Sequence, residues 1–222
     1  MEIFVHSAEA EDPQVVEVEM TALVSTLLIE IGSDGQVWLE DTEQEIDIDL
    51  TFQAAGISHH HHVHRSPCRE IEIEVSHEGR HIKRRFAPVL RCRRVLSWAV
   101  EHLQLGDVDD FDLLDPRTGT VVDPQRHIGT LLHHTNCTLQ LVVTHRRVRI
   151  VVNATAHTVP AGAISFDALV ALAFPTPPGP NPDYTVRYSK GPRDRPTGTV
   201  ARGHSVHVRN GMVFVVTATD KS

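Results

Sequence analysis

The 222-residue chain is poor in the features that mark several large classes of protein. Aromatic residues make up 5% of it and cysteines number three. No run of about 18 or more uncharged apolar residues occurs, so a membrane span is not expected. The N-terminus carries Glu2 and His6 where a secretory signal would need basic residues and then an apolar stretch, so no leader is expected either. Cys68, Cys92 and Cys137 are widely spaced and form no CxxC pair, which argues against a disulfide framework and a cysteine-based zinc site. A reducing cytoplasm is the expected setting. GxSxG, GxxxxGK[ST] and GxGxxG are all absent, and an enzyme is not expected.

What the chain does have is enough apolar material for a sizeable core, with 41% hydrophobic and 23% charged residues. The net charge of −8 conceals a gradient: residues 1–66 carry −13, residues 67–145 carry −1 and residues 146–222 carry +6. The acidic third would repel phosphates, so nucleic acid is not expected as a partner of the whole molecule.

Punctuation near Ser66-Pro67 and Arg146-Arg147 divides the chain into units spanning 1–66, 67–146 and 147–222. In the middle unit, Ile71, Ile73 and Val75 alternate with Glu70, Glu72 and Glu74, the pattern of a half-buried strand, and His77-Glu78-Gly79-Arg80 reads as a hairpin turn into a strand to Phe86. Pro88 opens a helical pattern through Val95, Leu96, Ala99 and Leu103, with its stop at Leu105-Gly106. Phe111–Leu114 and Thr138–Arg146 complete a β-β-α-β-β order. The first unit repeats it in compressed form: strands at Ile3/Val5 and Val16/Val18, a helix through Leu23, Leu27, Leu28 and Ile31 ending at Gly32, then Val37–Leu39 and an alternating Ile46, Ile48 and Leu50. In the third, Ser165 is the expected N-cap of a helix over Phe166–Ala173 that Pro175 stops. Strands are expected at Val148–Val152, Tyr184–Tyr188, Ser205–Val208 and Met212–Val216. A hairpin, a helix crossing it and returning strands make a β-grasp, so the fold class is α+β with three tandem β-grasp domains.

These residues also carry a resemblance. The hairpin, the helix, the LLDPRTG turn and the closing TLQLVVTHR of the middle unit resemble ubiquitin-like domains. Leu172-Ala173-Phe174-Pro175, Tyr184–Tyr188, Lys190-Gly191-Pro192, Gly211–Phe214 and Thr219–Ser222 of the third resemble the bacterial multiubiquitin domain. The resemblance implies a ubiquitin-like modifier encoded beside an activating enzyme, a conjugating enzyme and a JAB-type peptidase, in operons of which some are linked to defence against phage. It also implies a conjugation tail, here Thr219, Asp220, Lys221 and Ser222. The chain departs from the modifier pattern in lacking a terminal Gly-Gly; its last glycine is Gly211.

Two clusters are candidate cation sites. Asp107, Asp109, Asp110, Asp112 and Asp115 offer hard oxygens suited to Ca²⁺, though not in EF-hand register, and the resemblance adds an expectation of Ca²⁺-mediated dimers or filaments. In His59–His64, strand alternation would put His60, His62 and His64 on one face; the expected reading is a packed neutral row. The only aromatics near the basic stretch Arg80–Arg94 are Phe86 and Trp98, both at positions that read as core, which favours an acidic protein surface as its partner, including the acidic third of a second copy of this chain.

Overall fold

The computed structural model describes residues 1–8, 10, 12–29, 35–40, 42–132, 136–176 and 182–220. Ile31, Gly32, Lys221 and Ser222, named above, lie outside them. Three five-stranded sheets recur along the chain in one strand order, in which the first strand of each set lies parallel to the last at the centre.

The first sheet comprises β1 (Glu2–His6), β2 (Gln14–Glu17), β3 (Gln36–Leu39), β4 (Gln44–Ile46) and β5 (His62–Ser66), in the order β2-β1-β5-β3-β4. Its inner face packs Ile3, Val5, Val37 and Val63 against Val24, Leu27 and Phe52. The expected helix is only a 3₁₀ segment, Val24–Leu28. Its N-cap, Leu23, provides no side-chain hydrogen bond, and the N–H groups of Val24 and Ser25 donate to the carbonyls of Leu50 and Ile48, which ties the segment to a loop. The expected alternation through Ile48 and Leu50 also fails. β4 stops at Ile46 because the Asp47 carboxylate accepts from the Asp49 N–H at 3.0 Å and folds the backbone into a turn.

The second sheet comprises β6 (Ile71–His77), β7 (Arg80–Phe86), β8 (Phe111–Asp115), β9 (Thr120–Val121) and β10 (Thr138–His145), ordered β7-β6-β10-β8-β9. Ile71, Ile73 and Val75 are buried as their alternation requires. Glu78 and Gly79 both take positive φ, 47° and 80°, as a two-residue hairpin demands. Helix α1 (Cys92–Leu103) begins after an extended Arg91 and ends on a left-handed Gln104, two residues before the glycine expected to stop it. It buries Val95, Leu96, Trp98 and Ala99.

Cys68 and Cys137 form a disulfide, contrary to the reading of their spacing, with Cα atoms 5.6 Å apart across a sequence separation of 69. The cause is non-local. β6 and β10 run parallel with Glu72 opposite Thr138, and the Glu72 N–H donates to the Cys137 carbonyl, so the residues entering the two strands meet. Cys92 is free and buried. The expectation of a reducing compartment rested on unpaired thiols and loses that support.

The third set comprises β11 (Arg147–Val152), β12 (Thr155–Pro160), β13 (Gly162–Ser165), β14 (Pro182–Ser189), β15 (Thr197–Val200), β16 (Ser205–Val208) and β17 (Val213–Asp220); β13 and β16 pair separately, and the main order is β12-β11-β17-β14-β15. Helix α2 (Phe166–Ala173) starts where the Ser165 hydroxyl accepts from the Ala168 N–H at 3.1 Å. Ile150, Leu169, Met212 and Phe214 centre its core. Gly198 sits opposite Tyr188 across the β14–β15 pair, and a Cβ there would meet the Tyr188 hydroxyl at 2.6 Å, so the ring occupies the space a side chain would need.

By its contacts the chain divides into two compact units. Residues 1–108 and 112–144 carry the first two sheets; residues 109–111 and 145–222 carry the third.

Candidate functional site

The first unit holds an unusual polar cluster. Parallel pairing sets Phe4 opposite His62 and His6 opposite His64, so alternation brings His6, His62 and His64 to the outer face of the first sheet, away from Val5 and Val63. Trp38 faces His64 in register and is 2% exposed without belonging to the first sheet's core. This outer face is therefore covered. Glu40 follows β3, held where its N–H donates to the His62 carbonyl at 3.0 Å. From the middle domain come Arg91, at the start of α1, and His127, which precedes a 3₁₀ turn and bridges to Arg91.

Glu40 is the hub. Its Oε1 accepts from Nη2 of Arg91 at 2.8 Å, and its Oε2 accepts from Nε2 of His64 at 3.2 Å. Nε2 of His6 lies 3.4 Å from Oε2, and Nε2 of His127 lies 3.4 Å from Oε1. His62 stands at the rim, its Nδ1 hydrogen-bonded to Nε2 of His6 at 2.9 Å. The His6 and His64 rings stack with centroids 4.3 Å apart, and the His127 ring meets that of His64 edge-on at 4.1 Å. One ligand atom from each of His6, Glu40, His64 and His127 lies within 4.8 Å of the other three.

Burial sets the protonation. It drives the His64 imidazole down to about 3 and that of His127 to about 4, and lowers His6 as well, against the opposing pull of Glu40. For Glu40 burial acts upward. The hydrogen bond from His64 and the fields of His127, His64 and His6 outweigh it, and the carboxyl sits below its ordinary range. Neutral imidazoles around an ionised carboxylate are the result at neutral pH. Nε2 of His127 is buried without a hydrogen bond. The cluster opens into a cleft of about 780 Å³ that His6, Glu40, His62, Arg91 and His127 help to line.

The residues singled out in the sequence are placed differently. Asp115 is buried and engages Arg117 through both oxygens, at 3.1 and 2.9 Å, while its Oδ1 also accepts the Arg117 N–H. Asp110 lies 2.8 Å from Nε2 of His207. Among the described residues, the run Asp107, Asp109, Asp110, Asp112 and Asp115 is not one of the places where metal-ligating atoms converge. His60 has φ of 67°, so β5 begins only at His62 and the expected face of His60, His62 and His64 is cut short. His59 and His60 instead group with Glu2 in the open. In the basic stretch, Lys83 and Arg85 of β7 are answered across the strand pair by Glu74 at 3.2 Å and Glu72 at 3.8 Å. Of the tail, Thr219 and Asp220 are the last residues of β17, opposite Asp183 and Pro182.

The sheets, the crossing helices and the recurring strand order define a chain of tandem ubiquitin-like β-grasp domains, of class α+β. Residues 148–220 match the family model described as Multiubiquitin, and residues 72–146 match that described as BilA ubiquitin-like domain 2. The C-terminal unit is thus a multiubiquitin domain. No curated protein matches. Among solved structures, the chain is similar to the N-terminal ubiquitin-like domain of the 4931431F19Rik protein, at 18% identity over 35% of this chain and 76% of that one, with a TM-score of 0.28. It is also similar to Caldiarchaeum subterraneum ubiquitin, at 15% identity over 36% of this chain and 96% of that one, with a TM-score of 0.30.

Proposed function

We propose that this chain is a bacterial ubiquitin-like modifier, a non-enzymatic protein of the cytoplasm that an activating enzyme and a conjugating enzyme attach to targets through the C-terminal carboxylate. A JAB-type peptidase and a role in defence against phage complete the proposal. The observation that carries it is the succession, in one chain, of a BilA-type ubiquitin-like domain and a multiubiquitin domain. β-Grasp domains present sheet faces and edges to protein partners, and this chain carries none of the nucleophile or phosphate-binding motifs sought in its sequence.

The test is incubation of the full chain with its cognate activating enzyme, conjugating enzyme and ATP. A covalent adduct is expected, and deletion of Thr219–Ser222 should change its yield. No adduct with either form would overturn the proposal.

The register of β17 favours a second reading, an unconjugated scaffold. A tail must be extended and free to enter an adenylation channel, and Thr219 and Asp220 are paired with β14. The charge gradient from −13 to +6 would then drive head-to-tail association of copies. On that reading light scattering rises with protein concentration and falls in high salt. A monomer under all conditions would dispose of it.

A further inference from the structure

We propose that His6, Glu40, His64 and His127 form a binding site for a first-row divalent transition ion of the zinc class, which fastens the first sheet to the middle domain.

The donor set has the right chemistry. Three imidazole nitrogens and one carboxylate oxygen suit zinc and cobalt, whereas Ca²⁺ takes about 6 to 8 oxygens. The spacing fits as well. Ligands about 2.0–2.1 Å from a tetrahedral ion stand about 3.3 Å from one another. Nε2 of His6 and of His64 lie 3.4 and 3.2 Å from Oε2 of Glu40, and Nε2 of His127 lies 3.4 Å from its Oε1. No pair within the set is more than 4.8 Å apart, so binding needs only small side-chain rotations to draw the ligands together.

Packing alone accounts poorly for these residues. Nε2 of His127 is buried and makes no hydrogen bond, an arrangement that costs stability unless something else satisfies the nitrogen. It lies against the same carboxylate as two other imidazoles. A contact that served only to join two domains would use apolar side chains at lower cost. The surroundings are also those of a metal centre. The Arg91 guanidinium fixes Oε1 of Glu40 from outside the ligand set, and the cleft gives an ion access from solvent, while coordination through Nε2 of His6 replaces its hydrogen bond to His62. His64 donates its Nε2–H to Glu40, so coordination through Nε2 requires that proton to move to Nδ1, with no net release. Four protein ligands close the coordination sphere, which makes the role structural.

The four ligands come from β1, the residue after β3, β5 and the turn before Ile128, so an occupied site would add a cross-link between the paired strands of the first sheet and the middle domain. The exposed Glu2, His59 and His60 group is the competing place for an ion and supplies the control.

The experiment uses the untagged full chain, freed of metal with a chelator and titrated with Zn²⁺ and, separately, with Co²⁺. One equivalent should bind tightly, Co²⁺ should give the intense visible bands of a tetrahedral site, and the melting temperature should rise by several degrees. His127→Gln and His6→Gln should each weaken Zn²⁺ binding by about tenfold or more, while the double variant His59→Ala/His60→Ala keeps the tight equivalent. Far-UV circular dichroism and melting in chelator establish that each variant folds, and His6→Gln, at a partly exposed position, stands in if His127→Gln does not. Tight binding lost in His59→Ala/His60→Ala and retained in His6→Gln would overturn the proposal, as would weak binding throughout or a preference for Ca²⁺. Because the readout is metal binding alone, it stands whether or not the chain is conjugated.

Discussion

Glu40, just beyond the end of β3, accepts a hydrogen bond from the Arg91 guanidinium at 2.8 Å and so joins the first sheet to the start of the middle domain's helix. Arg91 is half exposed, and a pair of that kind contributes about 0.2–1 kcal/mol. Arg91→Ala should therefore lower stability by no more than about 1 kcal/mol in urea denaturation. Glu40→Ala also removes the acceptor of His64 and the countercharge of the cluster, and should cost about 1–3 kcal/mol. Equal effects for the two variants would deny Glu40 its place as hub.

Acid should destabilise the metal-free protein earlier than ordinary carboxylates would. His64 and His127 are held to about 3 and about 4, against 6.5 for the unperturbed group. Between pH about 6.5 and about 4 the unfolded chain therefore binds protons that the folded chain refuses, at about 1.4 kcal/mol per unit of depression. Glu40 adds a loss of the same sign at lower pH, since its carboxyl is also depressed. Urea midpoints measured in chelator should fall steadily from pH 7 to pH 5. A flat profile over that range would show that these imidazoles take up protons freely in the folded state.

Thiol labelling reads the cysteines directly. Burial pushes the Cys92 thiol up to about 12, so the native protein should show no reactive thiol. Denaturation should expose one, and denaturation with reductant three. Opening Cys68–Cys137 should lower stability by about 2–4 kcal/mol, the effect of losing a constraint over a long loop.

In the third set of strands, Leu169→Ala should cost about 2–5 kcal/mol, because the side chain is fully buried among Ile150, Phe166 and Phe214. Ser165→Ala removes the cap of α2 and should cost about 1 kcal/mol. Val215→Ala, at a half-exposed position on β17, should stay within about 0.5 kcal/mol. Denaturant midpoints separate the three.

Much of the fold is legible in local pattern. The alternation of Ile71, Ile73 and Val75, the Glu78-Gly79 turn and the Ser165 cap are each fixed by residues within a few positions of one another, and each is found where those residues put it. The 3₁₀ segment at Val24–Leu28 shows where pattern misleads, since its helical spacing lacks a cap and is bound to a loop. The disulfide and the Glu40 cluster were out of reach for a different reason. Both depend on parallel strand pairing, which brings Cys137 to Cys68 and His6 to His64 across long stretches of chain, and His127 carries no local signal. The histidine tract drew attention to His64. Its partners at positions 6, 40 and 127 have no common motif in sequence.

Adenylation of the C-terminal carboxylate releases pyrophosphate from ATP, so the modifier reading is tested most directly by ATP–pyrophosphate exchange with the cognate activating enzyme. The account predicts exchange that requires the full chain and falls when Thr219–Ser222 are deleted. Exchange no greater than that of the enzyme alone, at any concentration of the chain, would contradict it.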